Sequence, residues 1–324
     1  MGINHQQDKR PNVSIVGELN TDLILYGLPC DLPEERELLA SGFTMTLGSS
    51  SAILAHNLAA MGTRVSFNSR IGPDVLGEMC CQRLKEVGVD LSGVVRSTTG
   101  SPTGVTLILP LTETRRILTY PGVMFEMGIE DLDIDRLAAA RHFHMSSLFL
   151  HRKLTSDIPE LFREMKRRSL STSLDTNDDP EGKWAGVLEE VISITDLLFC
   201  NEDELARIAR TDDVEAAMAQ VAAQVPLLVV KRGSRGACAW HKGKRIDVDG
   251  VRVTMIDPVG AGDSFDAGFL HQWVRRAPLE TCLAYGNLAG ALSVTRPGGT
   301  EAFRDAAYRE QFFAAHWRER ALIP

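Results

Sequence analysis

The sequence predicts an α/β protein in which a mainly parallel central sheet is flanked by helices and covered in part by a small antiparallel β-layer. Candidate strands and helices alternate along most of the chain, which indicates a parallel sheet. The strand runs are almost continuously apolar, as in strands buried on both faces. Residues 22–47 and 102–121 interrupt this rhythm with short alternating runs and no crossover helix. We expect those two segments to form a lid over the sheet.

The elements follow from β-branched runs and from apolar spacing. The first strand, at 13–16, is β-branched, and the first helix, at 49–61, has apolar residues three to four apart. Further strands are predicted at 65–68, 143–145, 171–175, 197–200, 227–231 and 253–256, and further helices at 74–87, 154–168, 202–210 and 214–225. The predicted organisation is a flexible tail at 1–11, a core of 12–19, 48–97 and 126–324, and a lid of 20–47 and 98–125.

Composition excludes several classes of protein. Apolar residues make up 44% of the 324 residues and the net charge is −8, so the chain is globular and poorly suited to neutralising nucleic-acid phosphates. The six cysteines include no C-x-x-C pair, which favours free thiols and a cytoplasmic location. No apolar run approaches the ~20 residues that a membrane helix needs. We therefore expect neither a nucleic-acid partner nor a membrane partner.

The strongest chemical signal is the segment 257–269, DPVGAGDSFDAGF. Gly260, Ala261 and Gly262 would bring backbone N–H groups together at a helix N-terminus, which is a favourable place for an anion. Asp263 follows in the first turn of that helix. An anion site beside a carboxylate suits transfer of a phosphoryl group to an alcohol, with Asp263 as general base. An aspartate in a helical first turn is also a common stabilising choice.

The surrounding residues resemble the second signature of the ribokinase-like, or PfkB, family of carbohydrate kinases, D-[TP]-x-G-A-G-D-x-F-x-A-G-F. Further family motifs follow in the expected order: GELNTD at 17–22, IGPDVLG at 71–77, PTG at 102–104, NEDE at 201–204 and KRGSRG at 231–236. A dinucleotide-binding G-x-G-x-x-G is missing after the first strand, as is a G-x-x-x-x-G-K-[ST] phosphate loop, so dehydrogenases and P-loop kinases are disfavoured.

The resemblance implies residue roles. Asn20 and Asp22 would bind sugar hydroxyls, with Gly48 from the first family signature and Asp175 from a D-x-N segment, which could equally be a simple Asx turn. The expected ATP-binding residues are Asn201, Glu204, Lys231, Gly233, Gly236 and Asn287. Asn201 and Glu204 would also lie in the outer shell of Mg²⁺. A monovalent cation such as K⁺ is implied near Asp257, Val259, Arg296 and Gly298.

One departure from the family bears on the acceptor. The first family signature contains G-G-x-x-x-N, but this chain has Ser49 in place of the second glycine and Ile53 in place of the asparagine. A hydrogen bond to substrate is therefore lost, and we expect Ile53 to form an apolar wall of the acceptor pocket. After Asp175 the chain continues with Asp178 and Asp179 where an arginine is common. An acidic loop disfavours a phosphorylated sugar.

These observations predict an ATP-dependent kinase for a small, unphosphorylated sugar or sugar acid. A nucleoside kinase of the same fold, or a non-catalytic sugar or nucleotide sensor, is the alternative. We also predict a homodimer formed through apolar residues on the outer face of the lid, namely Phe43, Met45, Leu107 and Leu109.

Overall fold

A computed structural model describes residues 10–111 and 114–320, so most of the predicted tail at 1–11 lies outside the described residues. In chain order, the strands are β1 Val13–Val16, β2 Asn20–Tyr26, β3 Gly42–Leu47, β4 Val65–Ile71, β5 Asp90–Arg96, β6 Gly104–Pro110, β7 Arg115–Tyr120, β8 His142–Ser146, β9 Ser171–Asp175, β10 Leu197–Asn201, β11 Leu227–Lys231, β12 Ala237–His241 and β13 Lys244–Val248. The helices are α1 Ser50–Ala60, α2 Val75–Glu86, α3 Ile134–Ala138, α4 Ile158–Arg167, α5 Leu188–Ile194, α6 Glu202–Ala209, α7 Val214–Ala222, α8 Ala261–Trp273, α9 Leu279–Ser293, α10 Glu301–Arg304 and α11 Ala306–Arg320.

The central sheet is mainly parallel, as predicted. Within the described residues it has nine strands in the order β13-β12-β11-β10-β9-β8-β1-β4-β5, and the strands from β11 to β5 are parallel. The last two strands, β12 and β13, add antiparallel at one edge. The carboxyl ends of the seven parallel strands therefore meet along one rim, which is where ligands bind in open α/β sheets.

Two apolar cores cover the two faces of this sheet. On β10, Leu197 and Phe199 point to the core beneath α1, α2, α8 and α9, whereas Leu198 and Cys200 point to the core beneath α4 to α7. This alternation is expected for a strand buried on both sides. A smaller cluster joins α9 to α10 and α11.

The lid is a separate sheet of β3-β2-β6-β7 in the described chain. Its outer pairings, β3 with β2 and β6 with β7, are antiparallel, as the alternating runs predict. Its central pairing, β2 with β6, is parallel, because β2 and β6 both leave the core in the same direction. Asp74 fastens one joint, since its side chain caps α2 through Leu76 N–H and Gly77 N–H and accepts the Thr103 N–H at 2.7 Å. The IGPDVLG and PTG motifs thus meet where the lid joins the core.

One predicted strand is wrong. Residues 253–256 form no strand. The segment instead packs against the end of α9, where the N–H groups of Ile256 and Asp257 both donate to the Val294 carbonyl. The apolar side chains of Val251 and Val253 pack on the cluster of α9 and α11. A short apolar run can pack on a helix as readily as it can pair with a strand, and the sequence pattern does not distinguish these two arrangements. No helix in the described ranges is both long and apolar enough to cross a bilayer.

Candidate active site

The residues of the predicted site lie along the carboxyl rim of the sheet and beneath the lid. Asp175, Asn201 and Lys231 end the adjacent strands β9, β10 and β11. The lid residue Asn20 begins β2, a few residues beyond β1. Helix α8 adds its N-terminus, where Asp263 lies in the first turn. The sheet and one helix end therefore bring the main predicted residues to one place.

The segment 260–262 forms the predicted turn into a helix. Gly260 is in the left-handed conformation, with φ of 72°, and a Cβ atom there would lie 2.6 Å from the Cα atom of Gly299. Glycine is therefore needed at this position. Helix α8 begins at Ala261, whose N–H donates to the Pro258 carbonyl at 3.3 Å, so Gly262 and Asp263 supply the N–H groups of the first turn that have no intrahelical partner. This is the geometry of an anion-binding nest.

Asp263 is a buried carboxyl group, with 9% of its surface exposed. Its pKa is raised from 3.8 to about 6, mainly because burial disfavours the charged form and also because Asp175 is near. Lys231 and a hydrogen bond with Ser50 act in the opposite direction. A carboxyl group with this pKa is ionised at neutral pH and is still a better proton acceptor than an exposed aspartate, as a general base requires.

The lid residues Asn20 and Asp22 lie together on β2, and Asp22 is near enough to Asp263 for the two carboxyl groups to interact. Asn20 Nδ2 donates to Thr106 Oγ1 at 2.9 Å and to Asp22 Oδ1 at 3.3 Å, which fixes both side chains on β2. Burial, with Asp263 as the next contribution, raises the pKa of Asp22 to about 7. Gly48 makes room for this group, since a Cβ atom there would lie 2.1 Å from Asp22 Oδ1.

Lys231 lies inside a cluster of carboxyl groups. Its Nζ contacts Asp175 Oδ2 at 2.6 Å and Asp266 Oδ2 at 3.1 Å. It also lies 3.4 Å from the position of a Cβ atom on Gly262, so its charge is next to the 260–262 turn. Asp175 Oδ1 also accepts the Asn177 N–H at 3.3 Å, which is the Asx turn that the D-x-N segment allows, and binding of the acceptor by Asp175 stays a prediction. The Lys231 ammonium lowers the pKa of Asp175 against the effect of burial.

Asn201 and Glu204 cap α6 reciprocally. Asn201 Oδ1 accepts the Glu204 N–H at 2.9 Å, and Glu204 Oε2 accepts the Asn201 N–H at 2.8 Å. This is a capping box, so part of the NEDE motif is explained by helix stability alone. The pKa of Glu204 is nevertheless raised to about 7, because the group is buried and close to Asp175. A cation at this position would be stabilising.

The remaining predicted nucleotide residues flank the strand edge at β11 to β13. Gly233 and Gly236 bound the short turn between β11 and β12. Asn287, on α9, donates from Nδ2 to the carbonyls of Val248 and Asp249 at 3.0 and 3.1 Å. Asn287 therefore fixes the loop after β13.

Asp257 joins three segments near the predicted monovalent-cation site. Its carboxylate accepts the N–H groups of Val259 and Gly298 at 2.9 and 3.0 Å and the hydroxyl of Tyr26 at 2.9 Å. The Arg296 side chain turns away, toward Asp305 and the ring of Tyr308. Only the backbone of residue 296 is thus positioned for the predicted role.

Ile53 packs beside the 260–262 turn, against Gly260 and Gly299. It is 2% exposed and occupies the space beside Gly260 and Gly299, where a Cβ atom would lie 3.2 and 2.7 Å from its side chain. Asn57, one turn further along α1, donates to Ser264 Oγ and to the Gly299 carbonyl, both at 2.9 Å. The polar link from α1 to this loop is therefore made by Asn57.

Sequence reasoning missed Glu18, which lies at the end of β1 and is 3% exposed. Its Oε1 accepts the Ser147 hydroxyl and its Oε2 accepts the Ser51 hydroxyl, both at 2.8 Å. His151 Nε2 is 3.6 Å from Oε2. The available signal was position alone, because Glu18 and Ser147 each directly follow a buried strand whose carboxyl end lies on the rim.

Comparison with known proteins shows the family and the fold. The pfkB family carbohydrate kinase domain matches residues 10–306. An ATP-dependent ribose-1-phosphate kinase from Halopiger xanaduensis is 29% identical over 257 residues, which are 79% of this chain and 82% of that protein. The structure of adenosine kinase from Sinorhizobium meliloti superposes with a TM-score of 0.83 at 22% identity, over 93% of this chain and 99% of that chain. Arabidopsis thaliana ribokinase, complexed with ribose and ATP, gives 0.79 at 23% identity, over 94% and 98%. Because the domain spans nearly the whole chain and its signature residues form one site, the chain belongs to the PfkB family of carbohydrate kinases.

Proposed function

We propose that this protein transfers the γ-phosphoryl group of ATP to a hydroxyl of a small sugar or sugar acid that carries no phosphate. The observation that supports this most is the position of Asp263, in the first turn of α8 beside the 260–262 nest and near Asp22 of the lid. The name of the similar Halopiger protein and the ATP bound to Arabidopsis ribokinase are consistent with ATP as donor.

In the proposed reaction, Asp263 accepts the proton of the acceptor hydroxyl. The oxygen of that hydroxyl bonds to the γ-phosphorus while the bond from that phosphorus to the bridging oxygen breaks, and ADP leaves with the electron pair. The N–H groups of Gly262 and Asp263 and the ammonium of Lys231 stabilise charge on the transferring group. Asn20 and Asp22 hold the acceptor.

On the donor side, Asn201, Glu204, Gly233, Gly236 and Asn287 are proposed to contact the nucleotide or its metal ion. Bound Mg²⁺ supplies positive charge that neutralises the phosphates. The raised pKa of Glu204 fits this role, because burial and Asp175 outweigh the charge of Lys231, so a further cation would stabilise the carboxylate. A monovalent cation is proposed where Asp257 joins the backbone of residues 259 and 298, with the backbone of residue 296 nearby in sequence.

We further propose a cytoplasmic homodimer that forms through the outer face of the lid. Strand register places Met45, Leu23, Leu107 and Leu118 in one row across β3, β2, β6 and β7. Met45 and Leu118 are 43% and 56% exposed, and Phe43 is 62% exposed. Leu109, predicted to lie on this face, is instead buried. An apolar row on an otherwise polar surface is typical of an interface.

A panel of acceptors tests the proposal. ADP release and product mass are measured with ATP and neutral sugars, sugar acids, sugar phosphates and nucleosides. We expect saturable, acceptor-dependent ADP release with one of the unphosphorylated sugars or sugar acids. Preferred turnover of a nucleoside would establish a nucleoside kinase instead. ATP binding without transfer to any compound would favour a sensor.

A further inference from the structure

The acceptor site is surrounded by carboxyl groups. Asp263 lies at the base of the site, Asp22 on the lid and Glu18 at the end of β1. They converge on the start of α1: Ser51 donates to Glu18, Ser50 hydrogen-bonds to Asp263, and Asp22 lies against Gly48. The proposed mechanism uses Asp263 and Asp22, but it gives Glu18 no part.

Glu18 is held by neutral groups. Its two oxygens each accept one serine hydroxyl, from Ser147 and from Ser51. Burial lowers the pKa of His151, the third neighbour, so this ring does not supply a positive charge near pH 7. A carboxylate has about four lone-pair positions, so the serines leave part of its acceptor capacity free.

The cations around this rim are already paired within the described chain. Lys231 lies between Asp175 and Asp266, Arg70 contacts Asp131, and Arg152 contacts Glu181. On the lid, Arg115 is on the same side of β7 as Thr119 but four residues away, about 13 Å along an extended strand. In the described ranges these cations contact other carboxylates, and the basic side chain that contacts Glu18 is His151.

We propose that the acceptor is an uncharged polyhydroxylated compound, and that Glu18 is a specificity-determining residue that excludes acceptors bearing a phosphate or a carboxylate. This inference rests on the proposed function and narrows it, since a sugar acid is no longer a candidate. Hydroxyl groups donate to carboxylates in strong hydrogen bonds. An anionic group placed among Glu18, Asp22 and Asp263 would be buried beside like charges, which is an effective way to reject a wrong substrate.

The test uses the full-length protein and matched acceptors: a neutral sugar, the acid with a carboxylate at one of its carbons, and its phosphate ester. For the wild type we expect kcat/KM for the neutral sugar to exceed that for either anionic form by about 100-fold or more, as expected from like-charge repulsion. Glu18→Gln keeps the size of the side chain and its contact with both serines but removes the charge. In this variant, the ratio of kcat/KM for the neutral sugar to kcat/KM for either anionic form should fall by about tenfold or more.

Two controls accompany the measurement on Glu18→Gln. Glu215→Gln makes the same chemical change on α7, where Glu215 pairs with Arg245 on the surface, and should leave the preference unchanged. Thermal unfolding of Glu18→Gln checks that the variant is folded, and Asp22→Asn tests the same charge argument from the lid. Preference of the wild type for an anionic acceptor, or an unaltered preference in Glu18→Gln, would overturn the inference while leaving the kinase assignment intact. Absence of transfer to every acceptor class would overturn the proposed function itself, and the inference with it.

Discussion

At the scale of single residues, the burial of Asp263 has a measurable effect on stability. Its pKa is raised from 3.8 to about 6 in the folded protein, so folding favours the protonated form. The associated stability is fully present below pH 3.8 and is lost as the pH rises through 6. Asparagine does not ionise, so the Asp263→Asn variant does not lose this stability as the pH rises. We expect the variant to gain up to about 3 kcal/mol in unfolding free energy relative to wild type between pH 4 and pH 8.

Urea unfolding at several pH values measures this difference. Asp203→Asn, on the surface of α6, is the matched control and should follow the wild type. Parallel stability curves for wild type and Asp263→Asn across this range would show that Asp263 is not held in a charge-disfavouring environment. A gain in stability on removing a functional carboxylate is what a strained active site produces.

Individual residues also show how far sequence reasoning extends. Asp263 and the 260–262 turn were predictable because local sequence determines a helix start. Ile53 was predicted to wall the acceptor pocket, and that remains a prediction, since its described neighbours are Gly260 and Gly299. Glu18 and the partners of Lys231 could not be read from the sequence. They depend on which strands become neighbours, and the contact from Lys231 to Asp175 joins residues 56 positions apart.

At the scale of elements, the lid is fastened to the core by a few specific contacts. Ile24 and Ile108 pack on Val259, and Thr46 Oγ1 donates to Glu301 at 2.9 Å. Tyr26 donates its hydroxyl to Asp257. These contacts connect β2 and β6 to the loop that begins α8, and β3 to α10, so movement of the lid would change access to Asp263. A closed lid keeps water from the transferring phosphate.

We therefore predict that Tyr26→Phe loosens the lid. Loss of a hydrogen bond to a carboxylate is worth about 1.5–3 kcal/mol, so hydrogen exchange in β2 and β6 should accelerate. ATP hydrolysis relative to acceptor phosphorylation should rise as water gains access. In the wild type, acceptor should slow exchange in the same strands. Tyr308→Phe, which removes a hydroxyl bonded to Thr295, is the control. Equal exchange in the lid with and without acceptor, and in Tyr26→Phe, would identify the lid as a fixed wall.

Elements with strong periodicity were predictable, and elements formed by long-range pairing were not. Helix α1 and strands β9 and β11 follow from spacing and apolar runs. The parallel pairing of β2 with β6 joins Asn20 to Gly104 and depends on how the two lid segments meet. The segment 253–256 has a strand-like sequence, but its neighbour is α9, and tertiary contact overrides local preference.

At the scale of the whole molecule, the outer face of the lid carries the exposed apolar row that we propose as the dimer interface. We predict a dimer by light scattering, and we predict that Leu118→Arg converts it to a monomer, because the change places a charge within the exposed apolar row. Val75→Arg alters another exposed apolar residue, on α2, and should leave the dimer intact. A monomeric wild type at micromolar concentration would rule out this interface.

The most direct test of the central claim is phosphoryl transfer by Asp263→Asn, measured with the acceptor that the wild type uses best and accompanied by ATP-binding titration. If Asp263 is the general base beside the 260–262 nest, kcat falls by about 10²–10⁴-fold while ATP affinity stays close to that of the wild type. A variant that keeps more than about a tenth of the wild-type kcat would contradict the role of Asp263, because general-base catalysis contributes far more than that.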